Sequence, residues 1–178
     1  VSGGYTGFSP KEFVQTIRQE AEAINYTGFI MIALDHGGPW LKDLHYREQW
    51  SYEDTLEAVK TSFEVAIEAG YDLIHVDPTI DITLKGKAID IDVVADRTVD
   101  LIVHTEKFRR TNGFPRIAYE VGTEEVHGGL ANKKVFAHFL NRLKVGLKEN
   151  ALADVWPCFV VGKVGTDIHT STFDPIVA

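Results

Sequence analysis

The residues best suited to chemistry follow an apolar run early in the chain. Residues 29–34 are all apolar, and the run ends in Asp35 and His36, followed by two glycines and a proline. A neutral imidazole is a common ligand of divalent metals, and an adjacent carboxylate is well placed to move a proton. The pair therefore predicts a metal-assisted site. The structural alternative is that Asp35 caps the following loop and His36 bonds a backbone carbonyl.

A second polar cluster ends the next apolar segment, "YDLIHVD". His75 and Asp77 are two residues apart, so they share one face of a strand. His75 follows two aliphatic residues and is predicted to be a satisfied core histidine. Asp77 precedes a proline and is the better candidate for binding a substrate.

Two more polar clusters follow later apolar segments. Glu120, within "AYEVG", is costly to bury unless it meets a cation or a metal, so it is predicted to contact a substrate or an ion. Glu124 and His127 lie in the glycine-containing loop "TEEVHGGL", which could reach a ligand. Lys163 is a candidate for binding a phosphate or carboxylate of the substrate. The last cluster consists of Lys163, Thr166, Asp167 and His169.

Alternating helices and strands must position these clusters. Apolar spacing, capping residues and terminal glycines predict helices at residues 9–25, 51–70, 88–110 and 132–149. Strands are predicted at residues 29–34, 71–77, 116–122 and 158–162. Strands that are nearly continuous apolar runs are typical of a parallel sheet buried on both faces, so the fold class is α/β.

Two architectures fit this alternation. In a (β/α)8 TIM barrel the carboxyl ends of all strands meet at one mouth, whereas in an open doubly wound sheet they spread along an edge. No glycine-rich nucleotide-binding motif follows the first strand, which disfavours a dinucleotide site. Four polar clusters after four strands favour the barrel, of which four units fill about half. We therefore expect residues 1–178 to form a single partial TIM-barrel domain belonging to a longer protein.

Composition narrows the class of partner. The 178 residues include 26 acidic and 18 basic side chains, and the formal charge of −8 argues against binding nucleic acid or anionic lipid. A small molecule fits better. The single cysteine, Cys158, excludes an internal disulfide and is predicted to fill the core. No apolar run approaches the ~20 residues of a membrane span, so a cytoplasmic location is predicted.

Four motifs carry a resemblance to a known family. "GGYTGFSPKEF", "ALDHGGPW", "IHVDPT" and "YEVGTEEVHGGL" occur in this order, and the resemblance that they carry covers essentially the whole chain. They resemble the non-catalytic type of class II tagatose-bisphosphate aldolase subunit. The resemblance implies a TIM barrel roughly twice this length, of which the chain covers roughly strands 3 to 6.

A more distant similarity, to catalytic class II ketose-bisphosphate aldolases, implies roles for individual residues. The matching stretches are residues 34–36, 76–79, 120–122 and 164–169. This similarity implies that Asp35 is the proton-transfer residue and that His36 is a ligand of a divalent metal, with Zn²⁺ as the implied ion. His169 is the implied second ligand, with His127 and Glu124 as alternatives, and the third ligand lies outside the chain.

Three hypotheses for function follow. In the first, a metal polarises a ketose carbonyl while Asp35 or Glu124 moves a proton, which permits aldol cleavage or epimerisation of a sugar or sugar phosphate. In the second, the chain is a non-catalytic accessory subunit that stabilises a catalytic aldolase partner or forms a homo-oligomer. In the third, it is a protein-binding α/β module whose charges at the strand ends have no catalytic role. The first is preferred because an accessory role does not require so many ionisable groups at one mouth.

Overall fold

The computed structural model describes residues 6–85, 87–123 and 132–162 of the chain. Helices and strands alternate along it, as the sequence predicts. The elements in chain order are α1 (Pro10–Ala23), β1 (Ala33–Gly37), α2 (Asp43–Arg47), α3 (Tyr52–Ala69), β2 (Leu73–Val76), a short 3-10 helix (Ile82–Leu84), α4 (Ile91–Thr111), β3 (Ala118–Gly122), α5 (Lys133–Glu149) and β4 (Phe159–Val161).

The four strands form one parallel sheet in the order β1-β2-β3-β4. Each strand therefore pairs with its neighbour in the chain, and each parallel pair is joined by a connection that contains a helix. This confirms the predicted α/β class with a parallel sheet. The described part of the sheet ends at β1 on one side and at β4 on the other.

Capping residues set the helix bounds close to the predicted positions. Ser9 and Glu12 form a reciprocal capping box at the start of α1. Ser51 caps α3, and Gly70 ends it in the left-handed region at φ 88°, where a glycine carries no steric penalty. Asn132 caps α5 by accepting two backbone hydrogen bonds. Short polar caps thus fix where each helix begins relative to the preceding strand.

The core lies between the sheet and a layer of helices. Helix α3 packs against α1 and α4, and α5 packs against α4, so the helices cover the sheet side by side. Over the part of the chain that the structure describes, no helix is long and apolar enough to cross a membrane. The largest fully buried apolar side chains are Tyr119, Phe63, Phe139, Ile74, Leu101, Ile102, Leu143 and Leu147.

One buried carboxylate connects this helix layer to the sheet. Glu106 on α4 is 1% exposed and accepts hydrogen bonds from Arg109, Arg110 and the hydroxyl of Tyr119 on β3. Burial by itself raises the pKa of Glu106. The hydrogen bonds lower the pKa by more than burial raises it, so the pKa lies below its usual value. The ionised side chain is thereby fully partnered between α4 and β3.

The structure corrects two predictions made from the sequence. The first strand is Ala33–Gly37 and not residues 29–34, because β2 begins only at Leu73, the partner of Ala33. The preceding Ile32 instead donates its backbone N–H to the carboxylate of Asp72. The prediction that Cys158 fills the core is also wrong: it is exposed, because it lies beside the edge strand β4.

Candidate functional site

Two carboxylate–histidine pairs cross between the carboxyl ends of β1 and β2. Asp35 lies 3.0 Å from Nδ1 of His75, and Nδ1 of His36 lies 2.9 Å from the carboxylate of Asp77. The β1 members of the two pairs have side chains that are 76% and 53% exposed, whereas the β2 members are 3% and 1% exposed. Each pair therefore joins one accessible group to one buried group that holds it in place.

A β-bulge brings the two adjacent β1 residues to the same neighbouring strand. Leu34 pairs with Ile74 but Gly37 pairs with Val76, so β1 carries one extra residue between these two positions. His36 lies at the bulge with φ 50°, in the left-handed region that non-glycine residues rarely adopt. In a regular strand, consecutive side chains would point to opposite faces. The bulge therefore lets both ionisable residues of β1 meet residues at the end of β2.

The two glycines after His36 allow the bulged strand to lie close to β2. A Cβ atom on Gly37 would overlap the ring of Phe63 and the backbone of His75. A Cβ atom on Gly38 would overlap the carbonyl group of Asp77. The "HGG" sequence is therefore required by close backbone approach, which explains the glycines that follow the ionisable pair.

The hydrogen bonds of Asp77 define the orientation of the His36 ring. A carboxylate only accepts, so Nδ1 of His36 donates to it. Thr79 donates its hydroxyl to the other carboxylate oxygen of Asp77. In the neutral tautomer with hydrogen on Nδ1, the nitrogen that can coordinate a metal is Nε2. The buried carboxylate thus selects the tautomer of a half-exposed histidine.

His75 holds Asp35 in the same way from the opposite direction. Because an ionised carboxylate only accepts, Nδ1 of His75 donates to Asp35. The backbone N–H of His36 lies 3.4 Å from this Nδ1 but only 3.0 Å from Asp35, which is therefore its acceptor. Partial burial raises the pKa of Asp35, but the hydrogen bond from His75 and the electrostatic effect of the two nearby imidazoles outweigh burial and keep the pKa below its usual value. Asp35 is therefore ionised at neutral pH. The Nε2 atom of His75 is buried, and no described residue bonds it.

Three of these residues could hold a metal ion. Asp35, His36 and His75 each offer one ligand atom, and these atoms lie within 4.8 Å of one another. Two imidazoles and one carboxylate form a donor set that suits Zn²⁺. His75 is predicted from the sequence only as a core histidine, so its place in this group was missed. The signal for it was the two-residue spacing from Asp77 on a strand adjacent to Asp35.

Of the other residues predicted for the site, the structure describes Glu120 and Asp77. Glu120 is half-buried on β3, in register with His75 on β2, and none of the described side chains pairs with it. Asp77 lies at the site, but its two carboxylate oxygens accept hydrogen bonds from His36 and Thr79. The predictions for Glu124, His127, Lys163 and His169 fall outside the described residues.

The sequence of this chain matches the model of a known protein family. The model of the family described as D-tagatose-1,6-bisphosphate aldolase subunit GatZ/KbaZ-like matches residues 1–154. The chain belongs to this family. The matched range includes both crossed pairs, the bulge and the glycines that follow it. The resemblance stated from the four motifs is thereby confirmed.

Curated relatives of the family carry two kinds of name. A D-tagatose 6-phosphate 4-epimerase from Agrobacterium fabrum is 30% identical over 131 residues, which are 71% of this chain and 29% of that protein. A D-tagatose-1,6-bisphosphate aldolase subunit GatZ from Klebsiella pneumoniae is 27% identical over 135 residues, which are 73% of this chain and 30% of that protein. The matched residues therefore span less than a third of the length of each of these relatives.

A solved structure supports the fold. The crystal structure of a probable tagatose 6 phosphate kinase from Sinorhizobium meliloti superposes on 97% of this chain with a TM-score of 0.72 and 17% identity. The match covers 42% of that chain. At this identity the likeness establishes the arrangement of helices and strands alone.

Proposed function

We propose that the protein acts in carbohydrate metabolism, on a ketose or ketose phosphate, at a divalent-metal centre built on the ends of β1 and β2. The observation that carries the proposal is the group formed by Asp35, His36 and His75, whose ligand atoms lie within 4.8 Å of one another. Relatives named as a tagatose 6-phosphate epimerase and as a tagatose-bisphosphate aldolase subunit support a sugar phosphate as the substrate class. The reaction we propose is aldol cleavage or epimerisation next to the carbonyl.

His36 is the residue we assign to the metal, and Zn²⁺ is the ion that its donor set favours. Asp77 supports this role because it holds Nδ1 of the ring and so directs Nε2 to the ligand position. When bound, such an ion polarises the carbonyl oxygen of a ketose. His75 offers a further ligand atom within 4.8 Å of that of His36, and His169 remains the predicted ligand from the last cluster.

Asp35 is the residue we assign to proton transfer. It is accessible, and its lowered pKa keeps it ionised and able to accept a proton at neutral pH. The hydrogen bond from buried His75 fixes the carboxylate against the strand, which restricts its orientation. Glu124 remains the alternative proton-transfer residue.

Substrate contacts are assigned to groups that surround this pair. Glu120 is suited to a sugar hydroxyl because it is half-buried beside His75 and none of the described side chains neutralises it. His127 and Lys163 are proposed as further substrate-binding residues, with Lys163 suited to a phosphate. For Asp77 we propose the orientation of His36 in place of direct contact, since its side chain is 1% exposed.

The finer architecture we propose is a single partial TIM-barrel domain over residues 1–178, corresponding to strands 3 to 6 of the barrel. The sequential parallel order of the sheet supports it, because barrel strands follow one another in chain order. Large apolar side chains near both edges of the sheet, Phe29 before β1 and Phe159 on β4, are 79% and 49% exposed. Further strands at these edges would cover them.

The alternative function is that of a non-catalytic accessory subunit. It is favoured by the name of the Klebsiella relative, which is an aldolase subunit. In that case the partner is a catalytic aldolase subunit or further copies of the same chain, and the site binds a ligand without turning it over.

Metal content and divalent-ion affinity test the proposal. The protein is purified without chelator beside His36→Ala and a control, His104→Ala, which removes a histidine paired with Glu64 on the helix layer. We expect near-stoichiometric zinc in the parent and in the control and its loss in His36→Ala. The zinc-loaded parent should then cleave or epimerise a ketose phosphate, and His36→Ala should not.

Two other outcomes have distinct meanings. No bound metal in the parent, even after divalent ions are supplied, contradicts the metal-assisted enzyme and favours the accessory subunit. Bound zinc without turnover of any ketose phosphate contradicts catalysis by this chain while leaving the metal centre in place.

A further inference from the structure

We propose that Arg97 is a positioning residue that holds the loop after β1 against the loop after β2 and thereby sets the contact between His36 and Asp77. The proposal rests on the proposed function for its purpose, since that function requires a correctly oriented His36. Its structural basis is independent, because it depends on contacts of Arg97 with Asp81, Tyr52 and Trp40 and not on a bound metal.

Arg97 first anchors the loop that follows β2. Its Nη2 donates to the carboxylate of Asp81 at 2.7 Å, and the two side chains are 13% and 9% exposed. The other oxygen of Asp81 accepts from the backbone and the hydroxyl of Thr83, at the start of the short 3-10 helix. Asp81 is four residues beyond Asp77 in the chain. The ion pair therefore restrains the segment that leaves the site on the β2 side.

The same guanidinium group also lies over two aromatic rings, one in the loop that follows β1 and one at the start of α3. It lies 4.3 Å from the ring centroid of Tyr52 and 6.0 Å from that of Trp40, and the two rings lie 5.8 Å apart. Trp40 is 3% exposed and has φ 59°, and its Nε1 donates to the carbonyl of Trp50. Trp40 is four residues beyond His36. One side chain from α4 thus forms an ion pair with the segment after β2 and lies near the aromatic rings at the two ends of the segment after β1.

The position requires an arginine more than it requires a positive charge. A guanidinium group is planar, so it can lie over an aromatic ring while its edge donates to a carboxylate. The Nη1 atom is buried, and no described residue accepts a hydrogen bond from it. The presence of an arginine here is therefore not explained by hydrogen bonds from every nitrogen of its guanidinium group. It is explained by the simultaneous contacts with Tyr52 and Asp81.

These contacts bear on His36 because its backbone is strained. A left-handed non-glycine residue persists only where its surroundings over-determine it. The loop after His36 contains a second such residue, Trp40, which Arg97 covers from one side. If Arg97 is removed, the two loops lose their common support, and the ring of His36 is expected to leave the carboxylate of Asp77 part of the time.

The test compares Arg97→Met and Arg97→Lys with Arg142→Met. Arg142 is a matched control because its guanidinium also forms ion pairs between elements, with Asp92 and Asp96, but lies outside both loops. Two quantities are measured in each folded variant. One is the tautomer of His36 by imidazole nitrogen NMR without metal, and the other is the affinity for Co²⁺ by absorption titration.

For Arg97→Met we expect a mixture of His36 tautomers and a Co²⁺ affinity about 10- to 100-fold weaker, as for loss of groups that orient a metal ligand. Arg97→Lys retains the positive charge but lacks the planar guanidinium group, and we expect its Co²⁺ affinity to be weakened as well. Arg142→Met should change the affinity by less than about twofold. A purely structural arginine would lower thermal stability without moving either readout.

An unchanged tautomer and an unchanged affinity in folded Arg97→Met would overturn the proposal. If Arg97→Met does not fold, Arg97→Lys decides in the same way. If the parent protein binds no Co²⁺, the metal-dependent function fails, but the NMR comparison of His36 still decides the role of Arg97. The two failures are therefore distinguishable.

Discussion

His36 and Asp77 meet at 2.9 Å across β1 and β2, and the Asp35–His75 pair crosses beside them at 3.0 Å. In each pair a buried residue of β2 orients an accessible residue of β1. Two adjacent residues of one strand can take part in different pairs only because β1 carries a bulge between Leu34 and Gly37. The arrangement presents an ionised carboxylate and an oriented imidazole side by side at the end of a parallel sheet.

Replacing Asp77 with Asn should weaken divalent-ion binding about 10- to 100-fold while the fold is retained. The amide is nearly the same size but can present its nitrogen to His36, so the tautomer with hydrogen on Nδ1 is no longer enforced. Calorimetric titration with Zn²⁺ measures the change. Asp43→Asn, an acidic residue in the first turn of α2, is the control and should bind as the parent does.

Replacing Gly38 with Ala should destabilise the protein by about 3 kcal/mol, because the added Cβ overlaps the backbone of Asp77 and cannot be relieved by a side-chain rotation. Gly70→Ala is the control. It introduces a left-handed alanine into open space, which costs roughly 1–2 kcal/mol. Urea unfolding of both variants measures the two costs, and an equal loss would contradict the close approach of β1 to β2.

Replacing Glu106 with Gln should lower the free energy of unfolding at neutral pH by about 3 kcal/mol, since two arginines lose their buried ionic partner. Glu57→Gln removes an exposed glutamate from a pair on α3 and should cost no more than about 0.5 kcal/mol. Chemical unfolding at pH 7 compares the two variants.

The effect of Glu106 should also depend on pH with a defined sign. Its pKa is lowered in the folded state, so its contribution is complete above the ordinary glutamate pKa of about 4.3 and is lost as pH falls through the lower folded-state value. The stability curves of the parent and Glu106→Gln should therefore converge in acid. Curves that stay parallel down to the acid transition would show that the charge of Glu106 is not what stabilises the fold.

Replacing Glu120 with Gln should leave the free energy of unfolding within about 0.5 kcal/mol of the parent, or raise it, because no described side chain pairs with this carboxylate. Binding of a ketose phosphate should nevertheless weaken, since Glu120 lies in register with His75. Parallel measurements of stability and ligand affinity separate the two effects. A large loss of stability would place Glu120 in the structural framework instead.

Local patterns in the sequence determined most of the secondary structure. Apolar spacing and the caps at Ser9, Ser51 and Asn132 predicted the helix starts to within a few residues, because a cap satisfies backbone groups of its own first turn. The apolar runs predicted four strands and an α/β class, which the parallel sheet confirms. The four motifs also identified the family correctly.

Only the tertiary structure decided which residues of different strands meet. The first strand begins later than its apolar run because a strand requires a hydrogen-bonded neighbour, and β2 begins only at Leu73. The aliphatic residues before His75 predict a core residue, and His75 is buried as predicted. Its pairing with Asp35, 40 residues away, depends on strand register and on a bulge that neither segment encodes alone. Sequence therefore determined the elements and the candidate groups, and register determined the site.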